Sequence, residues 1–344
     1  MMRRLIQCVP RGLLLLLIFA GGASAQDLHF ARLGDFKLES GEVIRDCRIG
    51  YRTFGKLNAD KSNAVLFTTW ASGTTEQLKS NIGRGRLVDD TDYYVVAIDA
   101  LGNGVSSSPS NSQSQPRMSF PKFTIRDMVE SEHEVLTKVL GLNHLKAVMG
   151  VSMGGMQTFQ WMVSYPNFME KAVPVVGSPR LAPYDLLLWQ AQVDAIMNDR
   201  GWNGGDYTVN PARAAEAEFS ALLLTTPENY NKRMKREQVF EELEKSKKSS
   251  TFDANDKIRQ DQAMMALDVS KPFNGSMESA AAAVKARVFV IVSKSDHVVT
   301  PGPALDFARL LRAPLLVLES DCGHLAPSCE SQKVNGAVAD FLRQ

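Results

Sequence analysis

Short, nearly uninterrupted apolar runs recur at residues 64–69, 93–99, 145–149, 170–176, 287–293 and 315–318. They lack the every-other-residue polarity of a half-exposed strand and fit strands buried on both faces. Between them lie stretches with helical spacing. One runs from 125 to about 140 behind Thr124 and Asp127, which have capping-box spacing; others cover 156–165, 303–312 and the chain after Ser331. Residues 28–54 read as antiparallel β-structure. Strands alternating with helices predict an α/β fold, a mostly parallel sheet with helices on both faces. The alternation fails between 180 and 273, where helical periodicity continues without a strand. The chain thus divides into a core, 26–179 and 274–344, and a helical lid, 180–273. The charged stretch 232–248 mixes both signs, as a solvated helix face does.

The run at 145–149 leads into Gly150-Val151-Ser152-Met153-Gly154-Gly155, and a helical pattern follows. Strand, sharp turn and helix with a serine at the apex is the nucleophile elbow of the α/β-hydrolase fold, and its small residues let the backbone pass close to itself. In that fold an acid and then a histidine follow the serine along the chain. Asp296 lies just past the strand at 287–293, and His324 lies in the loop after the strand at 315–318. Asp99 also ends a strand but precedes the serine, and Asp321 is too local to His324. Among the histidines, His29 is near the start of the core, His133 falls within a helix, His144 precedes the elbow strand and His297 directly follows Asp296. The pattern therefore assigns Ser152 as nucleophile, His324 as general base and Asp296 as the carboxylate that orients the imidazole. The oxyanion hole would use the N–H of Met153 and one N–H from the loop after the third strand, Ala71 in preference to Trp70.

Composition narrows the class. The chain has 344 residues and a net charge of +1, so no electrostatic footprint for nucleic acid exists. Residues 1–25 have a basic start at Arg3 and Arg4, a leucine-rich segment too short for a permanent membrane span, and Ala23-Ser24-Ala25 before a cleavage point. This is the pattern of a secretory signal peptide and predicts export to the periplasm or the exterior. Cys47, Cys322 and Cys329 remain after it. Cys322 and Cys329 either pair across the His324 loop or stay as thiols. No clustered Cys or His spacing points to a metal, and no motif points to a cofactor.

Several ordered segments carry a more specific likeness: residues 50–58, 90–96, 101–104 and 123–129, the elbow with Met156-Gln157, Trp202-Asn203-Gly204-Gly205-Asp206-Tyr207, and Phe252-Asp253-Ala254-Asn255. Together they resemble the homoserine O-acetyltransferase family of the α/β-hydrolase superfamily, over most of the chain. The resemblance implies an acyl-serine intermediate on Ser152, passed to a second molecule, and allows a homodimer through the lid. The chain departs from the family where the amino acid is held. Leu325 stands where the family has an aspartate, residues 205–250 hold no Thr-Tyr-Arg-Ser stretch, and Thr69-Trp70-Ala71-Ser72-Gly73 replaces His-Ala-Leu-Thr-Gly. A kept catalytic engine with a lost clamp leads to the expectation of a secreted serine hydrolase acting on a small ester or related acyl bond. The alternatives are an O-acyltransferase of the family's type and a non-catalytic binding module on the same fold.

Overall fold

The computed structural model describes residues 26–211, 214–249 and 251–344. The leader expected over residues 1–25 lies outside the described residues. The strands are β1 (His29–Lys37), β2 (Val43–Phe54), β3 (Ala64–Thr68), β4 (Tyr94–Ile98), β5 (Leu145–Val151), β6 (Met169–Val175), β7 (Arg287–Val288), β8 (Val290–Ser293) and β9 (Leu315–Leu318). They form one sheet in the order β1-β2-β4-β3-β5-β6-β8-β9, with β7 also on β6. β2 is antiparallel to β1 and β4, and the remaining pairings are parallel. The run at 287–293 forms two strands rather than one, broken at Phe289: β7 pairs with β6 alone, and β8 lies between β6 and β9.

Helices before and after the elbow are α1 (Thr75–Leu78), α2 (Ile125–Glu134) and α3 (Met153–Ser164). Thr124 caps α2 as its spacing predicts, accepting from the Asp127 N–H at 3.1 Å while Asp127 accepts from the Thr124 N–H at 2.8 Å. Past Glu134 the helix widens into a π-turn, Val135–Val139, instead of continuing as α-helix to 140. Residues 180–273 contain α4 (Pro183–Met197), α5 (Ala214–Leu223), α6 (Pro227–Arg233), α7 (Val239–Ser249) and α8 (Ala254–Met265). An isolated bridge between Arg180 and Asp268 joins the two ends of this helical segment, so it leaves and re-enters the core at one place. α9 (Met277–Ala283), α10 (Gly302–Leu311), α11 (Ala326–Cys329) and α12 (Ser331–Arg343) complete the chain.

Strand residues alternate between two apolar layers. Leu66 and Val148 pack with Met128 of α2, Phe159 of α3 and Phe307 of α10. Val65, Phe67 and Met149 pack on the other face with Val338 and Phe341 of α12. All five residues of β3 are buried, which is the price of a parallel sheet covered on both sides. Among the described residues no helix is long and apolar enough to cross a membrane.

One buried acid sits in this core away from the elbow. Glu132 of α2 accepts from the Trp161 indole of α3 at 2.6 Å, and its other oxygen has no partner among the described residues. Burial pushes its carboxyl up to about 8. The neutral form is the one the fold favours, so its contribution to stability is complete below the ordinary carboxyl value of 4.5 and is lost as pH rises through about 8. Glu132→Gln keeps a neutral acceptor for Trp161. Thermal unfolding across that window should show a shallower fall in stability for Glu132→Gln than for the wild type, and identical profiles would refute the burial argument.

Candidate active site

The sheet's connectivity selects the place of the site. From β3 the chain moves to β4 on one side, and from β5 to β6 on the other, so the C-terminal ends of β3 and β5 border a topological switch point, where ligands bind in open α/β sheets. The elbow leaves β5 there and the loop 69–74 leaves β3.

Ser152 has φ 59° and ψ −119°, a conformation unfavourable for a residue with a Cβ. Its surroundings hold it there. The Ser152 N–H donates to Val175 O at 2.9 Å and the Met156 N–H donates to Ser152 O at 3.0 Å. A Cβ at Gly150 would lie 2.3 Å from Thr68 Oγ1, and one at Gly154 would lie 2.7 Å from Thr68 O. These positions therefore demand glycine, and the crossing of β3, β5 and α3 is tight. Thr68 Oγ1 donates to Gly154 O at 3.0 Å and clasps that crossing.

His324 joins the elbow from the far side of the chain. Its Nε2 is 2.8 Å from Ser152 Oγ and its Nδ1 is 2.7 Å from Asp296 Oδ2. An ionised carboxylate only accepts, so Nδ1 carries the proton and Nε2 is left to accept from the serine hydroxyl. Asp296 is 4% exposed, and its second oxygen accepts from the N–H groups of Val298 at 2.8 Å and Val299 at 3.0 Å. The structure thus brings Ser152, His324 and Asp296 together in that order. The competing acids are occupied elsewhere. Asp99 accepts from Thr75 and Asn103, and Asp321 pairs with Lys232. His133 stacks on Tyr165 with ring centroids 4.0 Å apart, and His144 lies by Glu170.

Met153 opens α3, so its N–H is one of the amides left without an intrahelical acceptor. Ala71 lines the same cavity as Ser152. Its loop is held from two sides, by Gln157 donating to Thr69 O at 2.9 Å and by Gln260 accepting from the Ser72 N–H at 2.7 Å.

The His324 loop is pinned twice. A disulfide joins Cys322 to Cys329, resolving the choice the sequence leaves open; Cys47 is a buried free thiol. The helical segment supplies the second hold: the Leu325 N–H donates to Leu224 O at 3.3 Å and Thr226 Oγ1 donates to Asp321 O at 2.7 Å.

Ser152 and His324 border a cavity of about 530 Å³. Trp70 and Val151 line it from the core, and Trp189, Phe219, Leu223 and Leu224 from the helical segment. Leu325, the residue after the histidine, faces it as well. Gln192 of α4 and Lys257 of α8 also reach it, and the sequence reading did not single them out. The available signal was a polar residue on an otherwise apolar helix face, at 192 beside Leu188, Trp189, Val193 and Ile196. Among the described residues no group of three His, Cys, Asp or Glu could hold a metal ion.

A family model described as alpha/beta hydrolase fold matches residues 73–328. The chain belongs to the α/β-hydrolase fold family. Within that family it is 31% identical to the ethyl acetate hydrolase of Pseudomonas veronii, over 85% of this chain and 88% of that protein. Its structure is similar to that of an acetylester hydrolase from Corynebacterium glutamicum, with a TM-score of 0.86, 28% identity and coverage of 92% of this chain and 96% of that one. It is also similar to a homoserine O-acetyltransferase from Bacillus anthracis, with a TM-score of 0.83, 25% identity and coverage of 92% and 98%. The likeness read from the sequence motifs therefore holds, and it extends to esterases of the same α/β-hydrolase fold.

The disulfide closes a short loop, so its loss should release little chain entropy, about 2 kcal/mol on the loop-closure relation. The pair Cys322→Ser/Cys329→Ser should lower the urea unfolding free energy by about that amount. Unchanged stability would show that the helical segment alone holds the loop.

Proposed function

We propose that this protein is a serine hydrolase that cleaves a small ester through an acyl-serine intermediate. The observation that carries this reading is the unbroken hydrogen-bond chain Ser152–His324–Asp296 at the edge of the cavity. Ser152 Oγ attacks the acyl carbon as His324 Nε2 takes its proton; Asp296 holds the tautomer and stabilises the imidazolium. The N–H groups of Met153 and Ala71 receive the developing oxyanion. The imidazolium then protonates the leaving alkoxide. Water, deprotonated by the same nitrogen, attacks the acyl-serine and restores the enzyme. The helical segment acts as a lid that supplies Trp189, Phe219, Leu223 and Leu224 to the apolar wall and excludes bulk water during the first step.

Acyl transfer to an alcohol differs only in what attacks the intermediate, and the homoserine O-acetyltransferase relatives keep that reading in view. Hydrolysis is favoured because Leu325 places an apolar side chain at the cavity where that family has an aspartate. Relatives named as an ethyl acetate hydrolase and a probable esterase, each 31% identical, support the same choice. Export is part of the proposal, and a disulfide beside the proposed base suits an oxidising compartment. Cell fractionation tests it.

With p-nitrophenyl acetate as substrate, Ser152→Ala should lower kcat/KM at least about a thousandfold, and Asp296→Asn by roughly a hundredfold to ten-thousandfold, since the wrong tautomer would face the serine. Free acid should remain the main product across a panel of added alcohols. Turnover that survives Ser152→Ala would sink the reading, and ester product in excess of acid would favour the transferase.

A further inference from the structure

The helical segment brings polar atoms to the cavity as well as apolar ones. Gln192 of α4 is 6% exposed and lines the cavity, and its side-chain amide makes no hydrogen bond with any described residue. Trp189, one turn earlier on the same face, buries its indole N–H without a partner among the described residues. Lys257 of α8 reaches the same wall, with its ammonium 5.0 Å from the Trp189 ring centroid and 2.5 Å from Asp261. With no protein partner, the Gln192 amide keeps its hydrogen-bonding groups available to whatever fills the cavity, and the enclosed Trp189 N–H gives up its hydration with no return from the fold. A few polar groups converging on one wall of a mostly apolar cavity is the usual form of a site that fixes a ligand's orientation.

We infer that Gln192, Trp189 and Lys257 form a polar subsite for a neutral oxygen of the substrate, an ether, hydroxyl or carbonyl oxygen lying beyond the bond cleaved at Ser152. The inference rests on the serine-ester reading and narrows its substrate class to oxygen-substituted esters, preferred over hydrocarbon esters of the same shape. A neutral oxygen suits the wall better than a second carboxylate, because Lys257 already has one in Asp261. Gln192 brings an amide to the cavity and Trp189 an indole N–H without a partner, so a methylene in the same place would leave these two unpaired, while Lys257 keeps Asp261. That asymmetry is how a polar pocket rejects an isostere lacking the oxygen.

The test uses two matched pairs: 2-methoxyethyl acetate against butyl acetate for the alcohol side, and ethyl methoxyacetate against ethyl butanoate for the acyl side. The preference within each pair is measured as a ratio of kcat/KM in the wild type and in Gln192→Leu, so that electronic differences between the esters cancel. Gln192→Leu breaks no hydrogen bond of the fold. Lys257→Met is the second variant. One pair should lose its oxygen preference by about tenfold in Gln192→Leu, the worth of one good hydrogen bond, and Lys257→Met should move the same pair in the same direction. Unchanged preferences in both pairs would overturn the subsite. If the wild type cleaves none of the esters, the serine-ester reading fails by itself. The subsite is then judged from affinities of the same esters for Ser152→Ala and Ser152→Ala/Gln192→Leu, read by tryptophan fluorescence. A preference lost on the second substitution supports it, and equal affinities refute it.

Discussion

The site depends on one imidazole held from opposite sides. Asp296 accepts from one ring nitrogen of His324 and leaves the other to face Ser152. Neither contact comes from neighbouring sequence: the three residues stand at the ends of β5, β8 and β9. The parallel sheet is what aligns those ends, and the two apolar layers on its faces are what keep the sheet in register.

Rigidity is distributed unevenly around that imidazole. The serine sits on a turn that only glycine at 150 and 154 permits, clasped by Thr68. The histidine sits on a loop whose Gly323 passes close to the Thr225 backbone, and it is held by a disulfide and by the backbone of the helical segment near Leu224 and Thr226. The helical segment thus forms the wall of the cavity and also steadies the residue proposed as the base. α4 reaches further, since Asp185 accepts from Thr300 Oγ1 at 3.0 Å and ties this helix to the loop that follows Asp296. The cavity wall and the proposed chemistry are mechanically linked through these contacts.

What the sequence revealed follows from the range over which each constraint acts. The elbow is local: six residues, three of them glycines with almost no room for a Cβ, announce a turn whose geometry repeats wherever it occurs. The meeting of Asp296 and His324 with Ser152 was legible because a parallel sheet sends its loops to one edge, so order along the chain stands in for position in space. Asp99 competed only as a strand-end residue, and its carboxylate turns out to accept twice from Thr75, at the start of α1, and once from Asn103. The cavity wall was not legible. Which faces of α4, α5 and α8 look inward depends on how the helical segment folds back onto the core, through contacts such as Gln260 with Ser72, 188 residues apart. The pairing of Cys322 with Cys329 was open for a similar reason, because the short helices between them are also held by the helical segment, through Leu224.

The central claim is that Ser152 is the hydroxyl made reactive by His324. Peptide mapping after exposure to a fluorophosphonate tests it directly, because the reagent modifies an activated serine and spares ordinary ones. The expected result is a single modified peptide carrying the adduct on Ser152, with labelling abolished in folded His324→Ala. A folded wild type that remains unmodified, or an adduct on another serine, would contradict it.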